Sequence, residues 1–333
     1  MSAITIEAPA KLNFHLKVGG RRSDGFHDIE SLFVALAFGD TLRFETTSSE
    51  AKPEISMNWP AAEPAVIPPE KNIIARAVSL FRERTGFNQG VKVAVEKRIP
   101  LGGGLGGGSS DAAAALLALN CLAADGGTLL SGAELAEMGA SLGSDVPFFL
   151  HRAFAAWVTG RGEHIQPLEL PESVQNLALV LINPGFPSDT AEAYRLLDEM
   201  RLSPERPLTE DTEVHGGHRG KNLGFFDILN HLITPCSPCT PCLRERSSFP
   251  FFNDFLPVLL NSDKGAIYQR IIDELRELGA EFAGLSGSGS TCFGVFSEQI
   301  QAESARKALL ERWPFVIISF LLARRTIPGY NSK

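Results

Sequence analysis

No stretch of this chain approaches the ~20 consecutive apolar residues that a helix needs to cross a bilayer. The longest run near the C-terminal end, Phe315 to Ala323, is broken by Ser319. A membrane-spanning helix is therefore not expected. A signal-peptide core is missing too, because Ile4-Thr5-Ile6-Glu7 already alternates like a strand and Lys11 interrupts the apolar residues after it. Positive charge is in deficit: 31 Lys and Arg against 39 Asp and Glu give a formal net charge of −8. So acidic a chain offers no electrostatic footprint for a nucleic-acid polymer, and any nucleotide partner is expected to be a small one. Cysteine is scarce, five among 333 residues, with Cys121 and Cys292 in apolar contexts, which does not match a secreted disulfide framework. These absences point to a soluble cytoplasmic protein that handles small molecules, with neither a membrane nor a nucleic-acid polymer as partner.

Glycine is abundant in one place. Residues 100 to 114 read Pro-Leu-Gly-Gly-Gly-Leu-Gly-Gly-Gly-Ser-Ser-Asp-Ala-Ala-Ala, six glycines within seven positions that open into an alanine-rich helical stretch. Without a Cβ, Gly102, Gly103, Gly104, Gly106, Gly107 and Gly108 can turn their backbone N–H groups onto a shared anion. The N-terminus of the following helix adds partial positive charge. Pro100, Leu101 and Leu105 frame this loop, and Ser109, Ser110 and Asp111 are residue types that cap helices.

The spacing Gly102-x-Gly104-x-x-Gly107 formally fits a dinucleotide fingerprint. That fingerprint should follow a buried parallel strand, whereas Val91-Lys92-Val93-Ala94-Val95-Glu96 alternates like a half-exposed one. Asp125, at the distance of a ribose-binding acid, sits in Asp125-Gly126-Gly127, a loop. No Lys follows the glycines, so the Walker pattern fails as well. A glycine-rich connection between strand and helix is the bland reading of the same residues.

A length of 333 residues with 44% hydrophobic content exceeds the needs of one typical domain. Two domains are expected, 1–160 and 161–333, each mixing sheet and helix. Strands are read at Ile4 to Glu7, Lys11 to Val18, Thr41 to Thr46 and Val91 to Glu96, with helices at Asn72 to Thr85 and Ser110 to Ala124. The second block carries a strand at Leu177 to Asn183 and helices at Thr190 to Met200 and Lys264 to Leu278. Between them, residues 203 to 250 are rich in Pro, His, Gly and Cys and read as an inserted excursion. It holds Cys236-Ser-Pro-Cys239-Thr-Pro-Cys242 with His215, His218 and His231 nearby, a set that could bind zinc or be incidental to a Pro-rich loop.

Three further segments accompany the glycine loop. Ala8-Pro9-Ala10-Lys11-Leu12-Asn13-Phe14 leads to Arg21-Arg22-Ser23-Asp24-Gly25-Phe26-His27. Leu142-Gly143-Ser144-Asp145-Val146-Pro147-Phe148 comes after the loop, and Gly284-Leu285-Ser286-Gly287-Ser288-Gly289-Ser290-Thr291-Cys292 lies near the end. In this order the segments resemble the GHMP kinase superfamily, and within it the 4-diphosphocytidyl-2-C-methyl-D-erythritol kinases of the non-mevalonate isoprenoid pathway. The resemblance covers nearly the whole chain and implies an α+β fold of two domains with the active site in the cleft between them.

It also implies roles. ATP phosphates would lie in the glycine loop, with Asn72 in the adenine pocket and Ser109 or Ser110 near Mg²⁺, Ser110 being the metal candidate. Asp145 would accept the proton of the substrate hydroxyl, and Lys11 would offset charge on the transferred group. Phe26 and Tyr194 would grip cytosine between two rings while His27 bonds its edge, so the acceptor carries a cytidine diphosphate. Asn13, Gly287 and Ser288 would complete the substrate side. Relatives commonly carry Tyr where this chain has Phe26, so stacking is kept and a phenolic hydrogen bond is not. The residues alone also allow plainer roles: Asp145 before Pro147 as a helix cap, Asn72 as another, Lys11 as a strand lysine, Phe26 and Tyr194 as packing. Another GHMP kinase, acting on mevalonate or homoserine, and a non-catalytic nucleotide- or metal-binding protein are the competing functions.

Overall fold

The computed structural model describes residues 2–48, 52–59, 68, 71–124, 127, 129–151, 153–202 and 252–322. Cys236, Cys239, Cys242, His215, His218 and His231 lie outside the described residues, as does Asp125. The chain opens with two long antiparallel strands, β1 (Ala3–Arg21) and β2 (His27–Thr47), then β3 (Glu54–Asn58), α1 (Ile73–Thr85) and β4 (Gly90–Glu96). Helices α2 (Gly107–Ala124), α3 (Gly132–Leu142) and α4 (Val146–Leu150) precede a hairpin of β5 (Ala155–Gly160) and β6 (His164–Pro167). After α5 (Glu172–Gln175) come β7 (Ala178–Asn183), α6 (Thr190–Leu202), β8 (Phe252–Asn253), α7 (Phe255–Leu260) and α8 (Gly265–Glu277). The described chain closes with β9 (Phe282–Leu285), β10 (Cys292–Phe296), α9 (Gln299–Leu309) and β11 (Phe315–Phe320).

Two sheets result. The first runs β3-β4-β2-β1-β8, and β2 is long enough to pair with β4 over residues 41–47 and with β5 over 29–34. β6 and β8 join this sheet although they come after residue 160. The second runs β11-β7-β10-β9, antiparallel throughout. As its alternation requires, β4 buries Val91, Val93 and Val95, exposes Lys92, Ala94 and Glu96, and lies antiparallel to β2. The strand before the glycine loop is parallel to the short β3, but with one face exposed and an antiparallel neighbour in β2 it is not the doubly buried, all-parallel strand of a dinucleotide fold.

β1 carries the feature that positions the chemistry. Its pairing with β2 shifts register between Pro9 and Lys11 and again between Asn13 and His15. Each bulge moves the following residues to the other face of the sheet. Ile6, Ala8, Leu16 and Val18 consequently join the core beneath the helices, whereas Ala10, Leu12 and Phe14 face a second core. Lys11 and Asn13, between the two bulges, are turned to the helix side. That second core joins the halves, with Leu179, Leu181, Phe293 and Val295 of the other sheet packed against Leu12 and Phe14. The Phe14 and Phe293 rings stack at 5.8 Å.

α2 is apolar on every side, as a central helix must be, and packs on β1 among α1, α3 and α4. It starts at Gly107, three residues earlier than its sequence predicts. Ser109, Ser110 and Asp111 therefore lie inside its first turns rather than capping it.

Candidate active site

The glycine loop turns through left-handed backbone at Gly102, Gly104 and Gly106, with φ of 61°, 75° and 70°. All three glycines are demanded by neighbours as well as by the turn, Gly102 by Pro187, whose Cβ would lie 2.6 Å from an added one. A Cβ on Gly104 would lie 2.2 Å from the Ser286 carbonyl oxygen, and one on Gly106 would lie 2.9 Å from Lys11 Cγ. The loop is bound to the C-terminal Gly-Ser-Gly-Ser turn by its backbone: Ser286 Oγ donates to the Gly104 carbonyl at 3.0 Å and the Thr291 N–H to that of Gly103 at 3.1 Å. A cavity of about 370 Å³ opens over the loop, lined by residues 102 to 109 with Pro100, Leu101, Asn72, Trp59 and Lys97. That is the size of a small-molecule site. Asn72 accepts the Ile74 N–H at 2.9 Å as the cap of α1, and it also lines this cavity.

The first N–H groups of α2 have no intrahelical acceptor of their own and are free to bind an anion. Ser110 Oγ, buried in that turn, has no hydrogen-bond partner among the described residues. Ser109 lines the cavity and Ser110 does not, so of the two serines considered for Mg²⁺ it is Ser109 that reaches the space, where it and the loop N–H groups suit the charged oxygens of a nucleotide and its ion. Asp111, one position beyond Ser110, belongs to a buried cluster at the cavity wall in which Lys97 Nζ bonds both Asp40 and Asp111. One ammonium cannot satisfy two buried carboxylates equally. Burial, only partly offset by Lys97, pushes the Asp111 carboxyl up to about 7.

Lys11 is nearly inaccessible, its side chain 5% exposed, and its Nζ lies 3.4 Å from Asp145 Oδ2 and 2.6 Å from Asn13 Oδ1. The lysine backbone is held by the loop, its N–H donating to Leu105 at 2.9 Å. Asp145 stands at the cap position of α4, yet its carboxylate makes no capping bond. Of the two roles open to it, capping is not the one its side chain adopts. At 28% exposure it is reachable from solvent, while the lysine beside it is not. Asn13 in turn donates to Ser31 Oγ at 2.9 Å, which fixes its amide.

At the other end, His27 stacks on Tyr194 with ring centroids 4.9 Å apart and planes inclined by 24°. Tyr194 also meets Phe255 edge-on at 4.9 Å. Its phenol is pushed up to about 12 by burial first and by the Asp145 charge second, which places this ring within electrostatic reach of that carboxylate. His27 is therefore brought to Tyr194 directly. Phe26 is not: it stays 53% exposed, with the Arg161 guanidinium 5.0 Å over its ring. Gly287, at φ 57°, and Ser288 sit between the two ends. Asn253 Nδ2 donates to the carbonyls of Leu285 and Gly287 at 2.8 and 2.9 Å, while Ser288 Oγ shares a hydrogen with Thr190 Oγ1 at 2.9 Å.

Sequence reasoning missed Thr190, Asp198, Trp59 and Lys97. Thr190, Tyr194 and Asp198 recur every fourth residue on α6, a one-face signal that was available. Trp59 and Lys97 carry no such local mark.

Paired glycine-loop and Gly-Ser-Gly-Ser elements flanking a Lys–Asp site define a kinase of the GHMP class. The model of the GHMP kinases N terminal domain matches residues 72–153, and that of the GHMP kinases C terminal domain matches residues 265–314. The chain is 36% identical over 314 residues to the 4-diphosphocytidyl-2-C-methyl-D-erythritol kinase of Treponema pallidum (strain Nichols), covering 94% of this chain and 97% of that one. It is 35% identical to the enzyme of the same name from Thermodesulfovibrio yellowstonii, with the same coverage of both. A crystal structure of 4-(cytidine 5'-diphospho)-2C-methyl-D-erythritol kinase superposes with a TM-score of 0.68 at 30% identity, over 96% of this chain and all of that one. Mevalonate kinase of Methanococcus jannaschii shares the fold, with a TM-score of 0.59 at 14% identity over 97% of this chain and 99% of that one. This chain belongs to the family of the 4-diphosphocytidyl-2-C-methyl-D-erythritol kinases. Among the described residues no helix is long and apolar enough to cross a membrane.

Proposed function

We propose that this protein transfers the γ-phosphoryl group of ATP to the 2-hydroxyl of 4-diphosphocytidyl-2-C-methyl-D-erythritol, giving the 2-phosphate and ADP, as a cytoplasmic enzyme of isoprenoid precursor synthesis. The observation that carries it is the Lys11–Asp145 pair at 3.4 Å, pressed by Gly106 against the phosphate loop. Phosphoryl transfer needs little covalent help, so positioning and charge stabilisation dominate.

The glycine loop and the first turn of α2 hold the triphosphate through backbone N–H groups, and Trp59 with Asn72 lines the part of the cavity suited to the purine. Ser109, which lines the cavity, or Ser110 beside it would hold Mg²⁺ there, and the bound ion would neutralise phosphate charge. Asp145 takes the proton of the acceptor hydroxyl, whose oxygen forms the new bond to phosphorus while the bond to the ADP oxygen breaks and ADP leaves with the electron pair. Lys11 faces the negative charge that spreads over the transferred oxygens. Asn13, fixed by Ser31 and Lys11, orients the hydroxyl, and Gly287 and Ser288 close the acceptor side. His27 and Tyr194, with Phe26 on the rim, take the cytosine.

ADP release should be measured with ATP, Mg²⁺ and, in turn, the diphosphocytidyl substrate, mevalonate and homoserine. Turnover is expected with the first alone. Turnover of mevalonate or homoserine in its place overturns the assignment.

A further inference from the structure

We propose that Asp198 is a positioning residue for base recognition: by accepting the Nε2 proton of His27 it leaves Nδ1 as the ring's acceptor, which favours a base with an exocyclic amine over one with a carbonyl. This rests on the reading that His27 meets the cytosine.

His27 Nε2 and Asp198 Oδ1 are 2.9 Å apart. A carboxylate only accepts hydrogen bonds, so the neutral imidazole carries its proton on Nε2 and its lone pair on Nδ1. Two contacts then define the ring completely: the Tyr194 stack at 4.9 Å fixes its plane, and the Asp198 bond fixes its rotation within that plane. Both partners come from one face of α6, a single turn apart, so the helix delivers stack and hydrogen bond as one unit.

α6 is itself anchored. Arg201, one turn beyond Asp198, donates to the carbonyls of Val18 and Gly19 at 2.6 and 3.0 Å and pairs with Asp254 at 3.2 Å. Asp254 Oδ2 also accepts the Val18 N–H at 2.6 Å. The helix that orients His27 is therefore tied to β1, the strand that carries Lys11. Cytosine presents an amine where uracil presents an oxygen. An Nδ1 acceptor matches the first and repels the second, and a site built for one hydrogen-bonding group rejects its counterpart strongly.

Asp198→Asn keeps the shape but can donate to Nε2, driving the proton to Nδ1, the wrong-tautomer effect known from other Asp–His pairs. Steady-state kinetics with the cytidine substrate and its uridine counterpart should show KM for the cytidine form rising about 10-fold, the loss of one good hydrogen bond. kcat should change far less, and the cytidine-to-uridine preference should fall by a similar factor. Asp198→Ala should raise KM for both forms. Nitrogen NMR of labelled histidine reads the tautomer directly: Nε2–H in the native chain is expected, and Nδ1–H overturns the proposal. A native preference ratio in Asp198→Asn also overturns it, provided His27→Ala weakens cytidine binding. If His27→Ala leaves the cytidine KM unchanged, the base-site reading fails, and the Asp198 role fails with it.

Discussion

The two ends of the proposed site, one assigned above to the phosphates and the other to the base, are built by different means. At the phosphate end the work is done by backbone: glycine N–H groups, the first turn of α2, and a loop bound to the Gly-Ser-Gly-Ser turn through Gly103 and Gly104 carbonyls. Its two side chains of consequence, Lys11 and Asp145, are set by bulges in β1 and by the start of α4. The base end is built from side chains alone, His27 from the first residue of β2 and Tyr194 and Asp198 from α6. Backbone geometry tolerates almost no substitution, whereas side chains on a helix face can be exchanged without disturbing the fold. A common chemistry with changeable acceptors is what such a division permits, and the mevalonate kinase with the same fold has an acceptor of another kind in its name.

The comparison can be broken from either side. The largest effect is expected for Asp145→Asn, which should lower kcat by about 10²- to 10⁴-fold, the usual contribution of a general base, with substrate KM nearly unchanged. Next comes Tyr194→Ala, whose lost stacking of about 1 to 3 kcal/mol should raise KM for the cytidine substrate roughly 5- to 150-fold and leave KM for ATP as it was. Gly104→Ala should cost about 2 to 3 kcal/mol of stability in urea titration, since its Cβ meets backbone oxygen in a left-handed turn. Gly108→Ala, where a Cβ has nothing closer than 3.9 Å, should change stability by less than about 0.5 kcal/mol.

A separate test, made by pH, concerns the buried cluster under the loop. The Asp111 carboxyl rises from 3.8 to about 7 on folding, so the native state holds a proton that the unfolded chain releases. Its stabilising contribution is complete below pH 3.8 and is lost as pH rises through about 7. Asp111→Asn removes that titration. Melting temperatures across this window should show the native chain losing ground to the variant, and parallel curves would refute the buried, shifted carboxyl.

Motif segments were legible because each combines a rigid backbone need with a chemical one: six glycines, Ser110, Asp145 beside Pro147, Lys11 and Asn13 two apart. Helices α1 and α6 and strand β4 were legible from periodicity, and α2 from its alanines. What stayed hidden depends on tertiary placement. The double bulge that turns Lys11 and Asn13 inward leaves no trace in the alternation of β1, and the missed start of α2 comes from glycines that look like loop but continue as helix. Asp40, Lys97 and Asp111 are far apart in sequence and meet only in the core. Of the two rings expected to hold a base between them, Tyr194 stacks on His27 and Phe26 lies under Arg161. Adjacent residues on a turn point apart, and sequence neighbours do not reveal which of them enters the cleft.

Calorimetric titration of the diphosphocytidyl substrate into Asp145→Asn and Tyr194→Ala, side by side with turnover, tests the division of the cleft most directly. Asp145→Asn is expected to bind like the native chain and barely turn over, and Tyr194→Ala to bind at least about 5-fold more weakly. Lost binding in Asp145→Asn, or native affinity in Tyr194→Ala, would contradict it.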